Sequence, residues 1–163
     1  MKTLCPLLVT MLVFILLQSC STIQTATQKE QKALRVKEQL ASSDFTFCAM
    51  SANPMNFRTI HLTSYYDLKV SKDTIQAYLP YFGRAYTAPM DPAEGGIKFT
   101  STCFDYSMVQ GKHAGNWKIT IKTHDTSRSF TLLVDIWDNG SAHLTVIDPN
   151  RQTISFQGNL VDE

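Results

Sequence analysis

The sequence predicts a mainly β protein: one antiparallel meander that closes into a small barrel, or alternatively folds over as a β-sandwich, with a single helix ahead of it. From Trp117 onward, four successive segments alternate between apolar and polar residues, which is the period of a sheet with one buried face. The separators between them are short and turn-like: Gly111–Gly115, His124–Ser127, Asp138-Asn139-Gly140 and Asp148-Pro149-Asn150. Regular spacing of such turns is the mark of a meander, and a meander of this length must close or double over to remove its edges. Before the first strand, Lys29–Ala41 contains neither Gly nor Pro and sets Ala33, Leu34, Val36 and Leu40 among Lys, Glu and Gln, a helical composition and spacing.

The N-terminus comes first in order. Lys2 precedes an almost wholly apolar run from Leu7 to Leu17. A charged start and a short hydrophobic stretch make a signal segment; a membrane span needs about 20 apolar residues. Leu17-Gln18-Ser19-Cys20 resembles a bacterial lipoprotein cleavage box, with a small residue just before the thiol that would carry the lipid. An ordinary secretory signal with a chance cysteine is the alternative. Residues 1–19 then form the signal peptide, 20–28 a polar tether, 29–42 the helix and 43–163 a single β domain. Each buried acyl CH₂ contributes about 0.8 kcal/mol and a lone chain holds only marginally. Bacterial lipoproteins carry two or three chains, so the expected partner is a membrane, through Cys20. No acid occurs in Ser21-Thr22-Ile23-Gln24, and the expected location is the cell envelope, on the periplasmic face of the outer membrane.

Ser42-Ser43-Asp44 breaks the helix, and Phe45–Met50 reads as the first strand. Asn53-Pro54 marks a turn. Arg58–Leu62 and Tyr65–Val70 give the next pair of strands, and Tyr78–Pro80 ends another. Trp117, Ile119 and Ile121 face inward, as do Phe130, Leu132, Val134 and Ile136, then Ala142, Leu144 and Val146, then Ile154 and Phe156. Asn139-Gly140 predicts a tight hairpin turn with positive φ at both positions.

Lys and Arg number 15 against 14 Asp and Glu, and loss of Lys2 with the signal balances them. Neutrality argues against nucleic-acid binding, which is driven by phosphate neutralisation. Cys48 and Cys103 remain in the domain. An exported pair can form a disulfide, although buried free thiols are also common core residues. Neither has the CxxC spacing of a redox or zinc site.

Tyr78-Leu79-Pro80-Tyr81-Phe82-Gly83-Arg84-Ala85-Tyr86 is unusually aromatic, and Gly95-Gly96-Ile97-Lys98-Phe99 follows a Pro-rich loop. With Tyr66-Asp67-Leu68-Lys69-Val70 before them and Arg151-Gln152-Thr153-Ile154-Ser155-Phe156-Gln157-Gly158 after, these motifs resemble the bacterial family known as domain of unknown function 4251, over Phe45–Leu160. The resemblance implies an exported, often lipid-anchored, lipocalin-like small barrel. The family has no established activity, so no catalytic residues carry over. From the residues themselves, Pro80 ends a strand or sits at an edge. Gly83 supplies a bend with positive φ. Tyr81, Phe82 and Tyr86 cover one mouth of the sheet, and Arg84 stacks on them or pairs with Asp91 or Glu94. Tyr78, Tyr81, Phe82, Arg84 and Tyr86 are either a plug for that mouth or a recognition surface, since Tyr and Arg anchor interfaces.

His61, His113, His124 and His143 lack the short spacings of a zinc site, and neither metal nor cofactor is expected. Among Asp67, Asp73, Asp105, Asp125, Asp135 and Asp138, Asp135 stands out in an apolar strand, with a solvated face as its simplest explanation. No GxSxG elbow or phosphate loop occurs. The expected function is a non-enzymatic envelope module for an unknown envelope protein. A lipocalin-type carrier of a small apolar ligand and an envelope-polymer hydrolase using paired carboxylates are the alternatives.

Overall fold

The computed structural model describes residues 20–86 and 95–161. The expected signal segment, Asp91 and Glu94 lie outside them. Among the described residues one helix, α1 (Cys20–Ser42), leads into ten strands. They are β1 (Phe45–Pro54), β2 (Ile60–His61), β3 (Asp67–Val70), β4 (Ile75–Leu79), β5 (Ile97–Ser101), β6 (Phe104–Gln110), β7 (Asn116–Thr123), β8 (Thr131–Trp137), β9 (Ser141–Ile147) and β10 (Ile154–Leu160). The segment expected as a tether is thus helical, and α1 is about 35 Å long at 1.5 Å per residue.

The strands form one antiparallel sheet in the order β5-β4-β3-β1-β10-β9-β8-β7-β6, with β2 beside β1. The architecture is a nearly closed barrel, as the meander requires. First and last strands pair along most of their length, from Phe47 opposite Leu160 to Pro54 opposite Ile154. The open seam falls between β5 and β6. Every pairing along the ladder is antiparallel, so these two run in the same direction. The chain passes between them through only Thr102 and Cys103, so β5 and β6 are two halves of one bent strand. Its first half pairs with β4 and its second with β7.

Asp125, from the loop after β7, pins that bend. Its carboxylate accepts from Thr102 N (2.7 Å), Cys103 N (3.0 Å), Thr102 Oγ1 (3.1 Å) and Ser101 Oγ. These donors, the Ser101 hydroxyl foremost, hold the Asp125 carboxyl well below its ordinary range. His124 adds a backbone bond to Cys103 O (2.9 Å) and an imidazole contact to Asp105 (2.9 Å).

From Ile119 to Phe156 the inward residues are those the alternation names. Phe47, Leu68, Ile75, Ile119, Ile121, Leu132, Ile136, Leu144 and Phe156 are fully buried in one cluster. Helix α1 adds Val36 and Leu40 to it. The helix lies across the end where β1 starts and β10 finishes: Gln39 Nε2 reaches Val161 O (3.5 Å), and Tyr106 Oη reaches Leu40 O (3.5 Å).

Several local expectations are corrected. Strand β1 runs on to Pro54, so the turn comes after Asn53-Pro54. Met50 is a bulge between Ala49, opposite Gly158, and Ser51, opposite Gln157. The inward phase therefore changes from odd residues to Ala52 and Pro54. Strand β2 pairs with β1, and β3 pairs with β1 and β4. In the β8–β9 hairpin only Gly140 has positive φ, +80°. Gly140 N donates to Trp137 O at 2.8 Å, closing a turn over Asp138 and Asn139.

Candidate functional site

Leu79 ends β4, and Pro80, without an N–H, stops the ladder there. The chain then crosses the barrel end remote from α1, where residues 84–86 run against the β9–β10 loop. Ala85 bridges Arg151, Tyr86 N donates to Asn150 O (2.8 Å), and Gln152 N donates to Arg84 O (3.0 Å). The Tyr81 hydroxyl shares its proton between Arg84 O (2.9 Å) and Gln152 O (3.0 Å). Gly83 is not a positive-φ residue; those in the described residues are Gly115 and Gly140 among glycines. A Cβ on Gly83 would stand 2.7 Å from Tyr81 Oη, so its small size, not left-handed backbone, serves the strap.

The cation behind the aromatics is Arg151. It is 5% exposed, its guanidinium lies 4.9 Å from the Tyr81 ring centroid, and Nη1 donates to Gly96 O at 3.2 Å. Buried Asp148 lies 3.8 Å from Arg151 Nε and 3.2 Å from Arg128 Nη1. Burial pushes the Tyr81 phenol up, and the Arg151 guanidinium opposes that shift. Arg84, expected to stack on these rings or to pair with Asp91 or Glu94, is exposed and joins the strap through its backbone. No spacing rule pointed to Arg151, which sits just after a turn that reads as polar and solvated.

Tyr78 faces outward on β4. Its ring stacks on Tyr66 at 5.6 Å, and Lys98 Nζ lies 5.0 Å from its centroid. Tyr66, Tyr78, Tyr81, Phe82 and Lys98, with Gly95 and Gly96, line a pocket of about 250 Å³. Three of the five expected surface residues thus come together. Arg84 and Tyr86 do not line the pocket, and Tyr86 is 70% exposed.

A larger groove, about 820 Å³, lies over β1 and was not anticipated from sequence. Met50, Leu62, Tyr65, Cys48, Gln157 and Asn159 are among its lining. The Met50 bulge puts that side chain on the outer wall, 57% exposed. Tyr65 lines this groove and Tyr66 lines the pocket, so the two concavities share the Tyr65-Tyr66 segment as a wall.

Cys48 and Cys103 are free thiols, so the possible disulfide is not formed. Cys48 lies in β1, while Cys103 is exposed at the β5–β6 bend. Burial, reinforced by the Asp67 carboxylate, pushes the Cys48 thiol up, away from nucleophilic thiolate. Asp135 lies on the outer face, 3.3 Å from Lys118 Nζ. Asp67 lies 3.7 Å from Lys69 Nζ. Among the described residues no group of three or more His, Cys, Asp or Glu converges. Cys20 is the first residue of α1.

Comparison with the curated proteins finds no match. The chain is similar in structure to a DUF4251 family protein from Bacteroides eggerthii DSM 20697. That match has a TM-score of 0.59 and 16% identity, and covers 80% of this chain and 87% of the other; at this identity it speaks to the fold alone. The family model described as Domain of unknown function (DUF4251) matches residues 27–160. It takes in β1 to β10 and both aromatic motifs, and the chain belongs to the DUF4251 family.

Proposed function

We propose that this chain is a lipid-anchored protein of the bacterial cell envelope, held through Cys20 on the periplasmic face of the outer membrane, whose barrel is a non-enzymatic binding module. The cleavage-box sequence supports the anchor. No helix among the described residues is long and apolar enough to cross a membrane. One observation carries the binding reading: the pocket and the groove open on the outer wall, while Phe47, Phe156 and their neighbours occupy the interior. A carrier of apolar molecules needs its cavity inside the barrel. A hydrolase needs two carboxylates facing across a cleft; Asp67, Asp105, Asp125, Asp135 and Asp148 are each engaged by a cation, an imidazole or backbone donors.

Two measurements test this reading. Cys20→Ser moves the chain from the membrane pellet to the soluble fraction; retention in the pellet overturns the anchor. Native mass spectrometry of the full chain released from membranes in detergent gives the mass of the protein with its lipid and nothing more. A stoichiometric apolar small molecule instead overturns the outer-wall reading in favour of a carrier.

A further inference from the structure

We propose that the outer wall from β5 to β1 is a docking track for an extended peptide segment, with an acidic group at Lys98 and apolar side chains in the groove over β1. The inference deepens the binding-module reading and rests on it.

The register builds the track. Lys98 lies opposite Tyr78, Tyr78 opposite Asp67, and Asp67 opposite Cys48. These residues form one cross-strand row from the pocket to the groove floor. At one end the Lys98 ammonium rests on Tyr78, itself stacked on Tyr66. Among the described residues its contact is a ring, not a carboxylate, which holds the ammonium in position without neutralising it. Lys69, the nearby cation, faces Asp67. At the other end Met50, Leu62 and Tyr65 offer apolar surface, and methionine adapts to varied side chains.

Size argues that one ligand uses both ends. The pocket, about 250 Å³, is below the roughly 300 Å³ at which small-molecule sites begin. It takes one side chain of something longer. Three inter-strand steps of about 4.8 Å separate Lys98 from Cys48, roughly 14 Å in all, or about four residues of extended peptide. A glycan would want free aromatic faces, and the Tyr78 ring is already engaged by Tyr66 and Lys98.

The probe is a phage-displayed library of random heptapeptides, selected on the full chain in detergent micelles. Expected winners carry Asp or Glu about four residues from an apolar side chain. Synthetic copies lose about tenfold in affinity with Lys98→Met and with Met50→Glu, and bind unchanged with Lys98→Arg. Trp137→Ala, on the far wall, has no effect. Winners without acids, or winners indifferent to Lys98→Met, overturn the track and leave the module reading standing. Binding to immobilised oligosaccharides or anionic vesicles, with no peptide enriched, overturns the peptide partner. An apolar small molecule copurifying in the native spectrum overturns both readings. Thermal scans of each variant confirm that lost binding is not lost folding.

Discussion

Substituting Arg151→Met keeps an unbranched apolar stem and deletes the charge. Three of its contacts with described residues are lost. The charge-assisted bond to Gly96 O disappears, worth about 1.5–3 kcal/mol. The contact with the Tyr81 ring disappears, worth about 1–2 kcal/mol in this desolvated setting. Buried Asp148 keeps Arg128 at 3.2 Å but loses its second cation. Breaking a buried pair costs about 3–5 kcal/mol, and the retained Arg128 contact limits the total to about that range. For a chain of this size each kcal/mol lowers Tm by about 2–4 °C, so the expected fall is about 10 °C. Thermal and urea unfolding of the two proteins, followed by circular dichroism, give the value. Adding Asp148→Asn to the variant should recover part of the loss, because it removes the carboxylate left short of a partner. A fall under about 3 °C, or a further fall on adding Asp148→Asn, would refute the reasoning.

Gly158→Ala places a Cβ 1.9 Å from Cys48 O, a backbone atom that cannot rotate away; soluble expression should collapse, and a normal yield with a normal Tm would contradict the close β1–β10 approach. Asp125 has a lowered carboxyl pKa in the folded state. Its contribution is therefore present above the unfolded value of about 3.9 and is lost as pH falls below it. The Tm gap between wild type and Asp125→Asn should narrow from pH 6 to pH 2, about the span of that titration, and a gap independent of pH would count against the bend clamp. In denatured, unreduced protein both Cys48 and Cys103 should take up iodoacetamide; in the folded state Cys103 should react first because it is exposed and Cys48 is half-buried. An intact mass short of two hydrogens, with neither residue labelled, would show a bridge.

What could be read from sequence was what repeats. The inward residues of β7 to β10 follow from alternation, because a half-buried sheet writes its period directly into the chain. The helix was legible from composition, but not its start, because the polar run from Ser21 to Gln28 suits a helix as well as a tether. The bulge at Met50 was not legible: one extra residue reverses the phase, and Ala52 then reads as outward. Asn139-Gly140 named the turn, but only Gly140 takes the positive φ expected of both. Of the aromatic motif, Tyr78, Tyr81 and Phe82 do share a pocket. Their cations come from Lys98 and Arg151, which are distant in sequence and are joined to the motif only by strand pairing and the barrel-end strap.

The pairing of β1 with β10 sets the timetable of folding. Synthesis reaches β1 well before β10, and until β10 emerges β1 has a bare flank along most of its length. Loop closure over so long a separation is slow. An uncovered strand edge invites aggregation in the meantime. A premature stop anywhere before β10 should therefore yield an aggregate and not a smaller barrel.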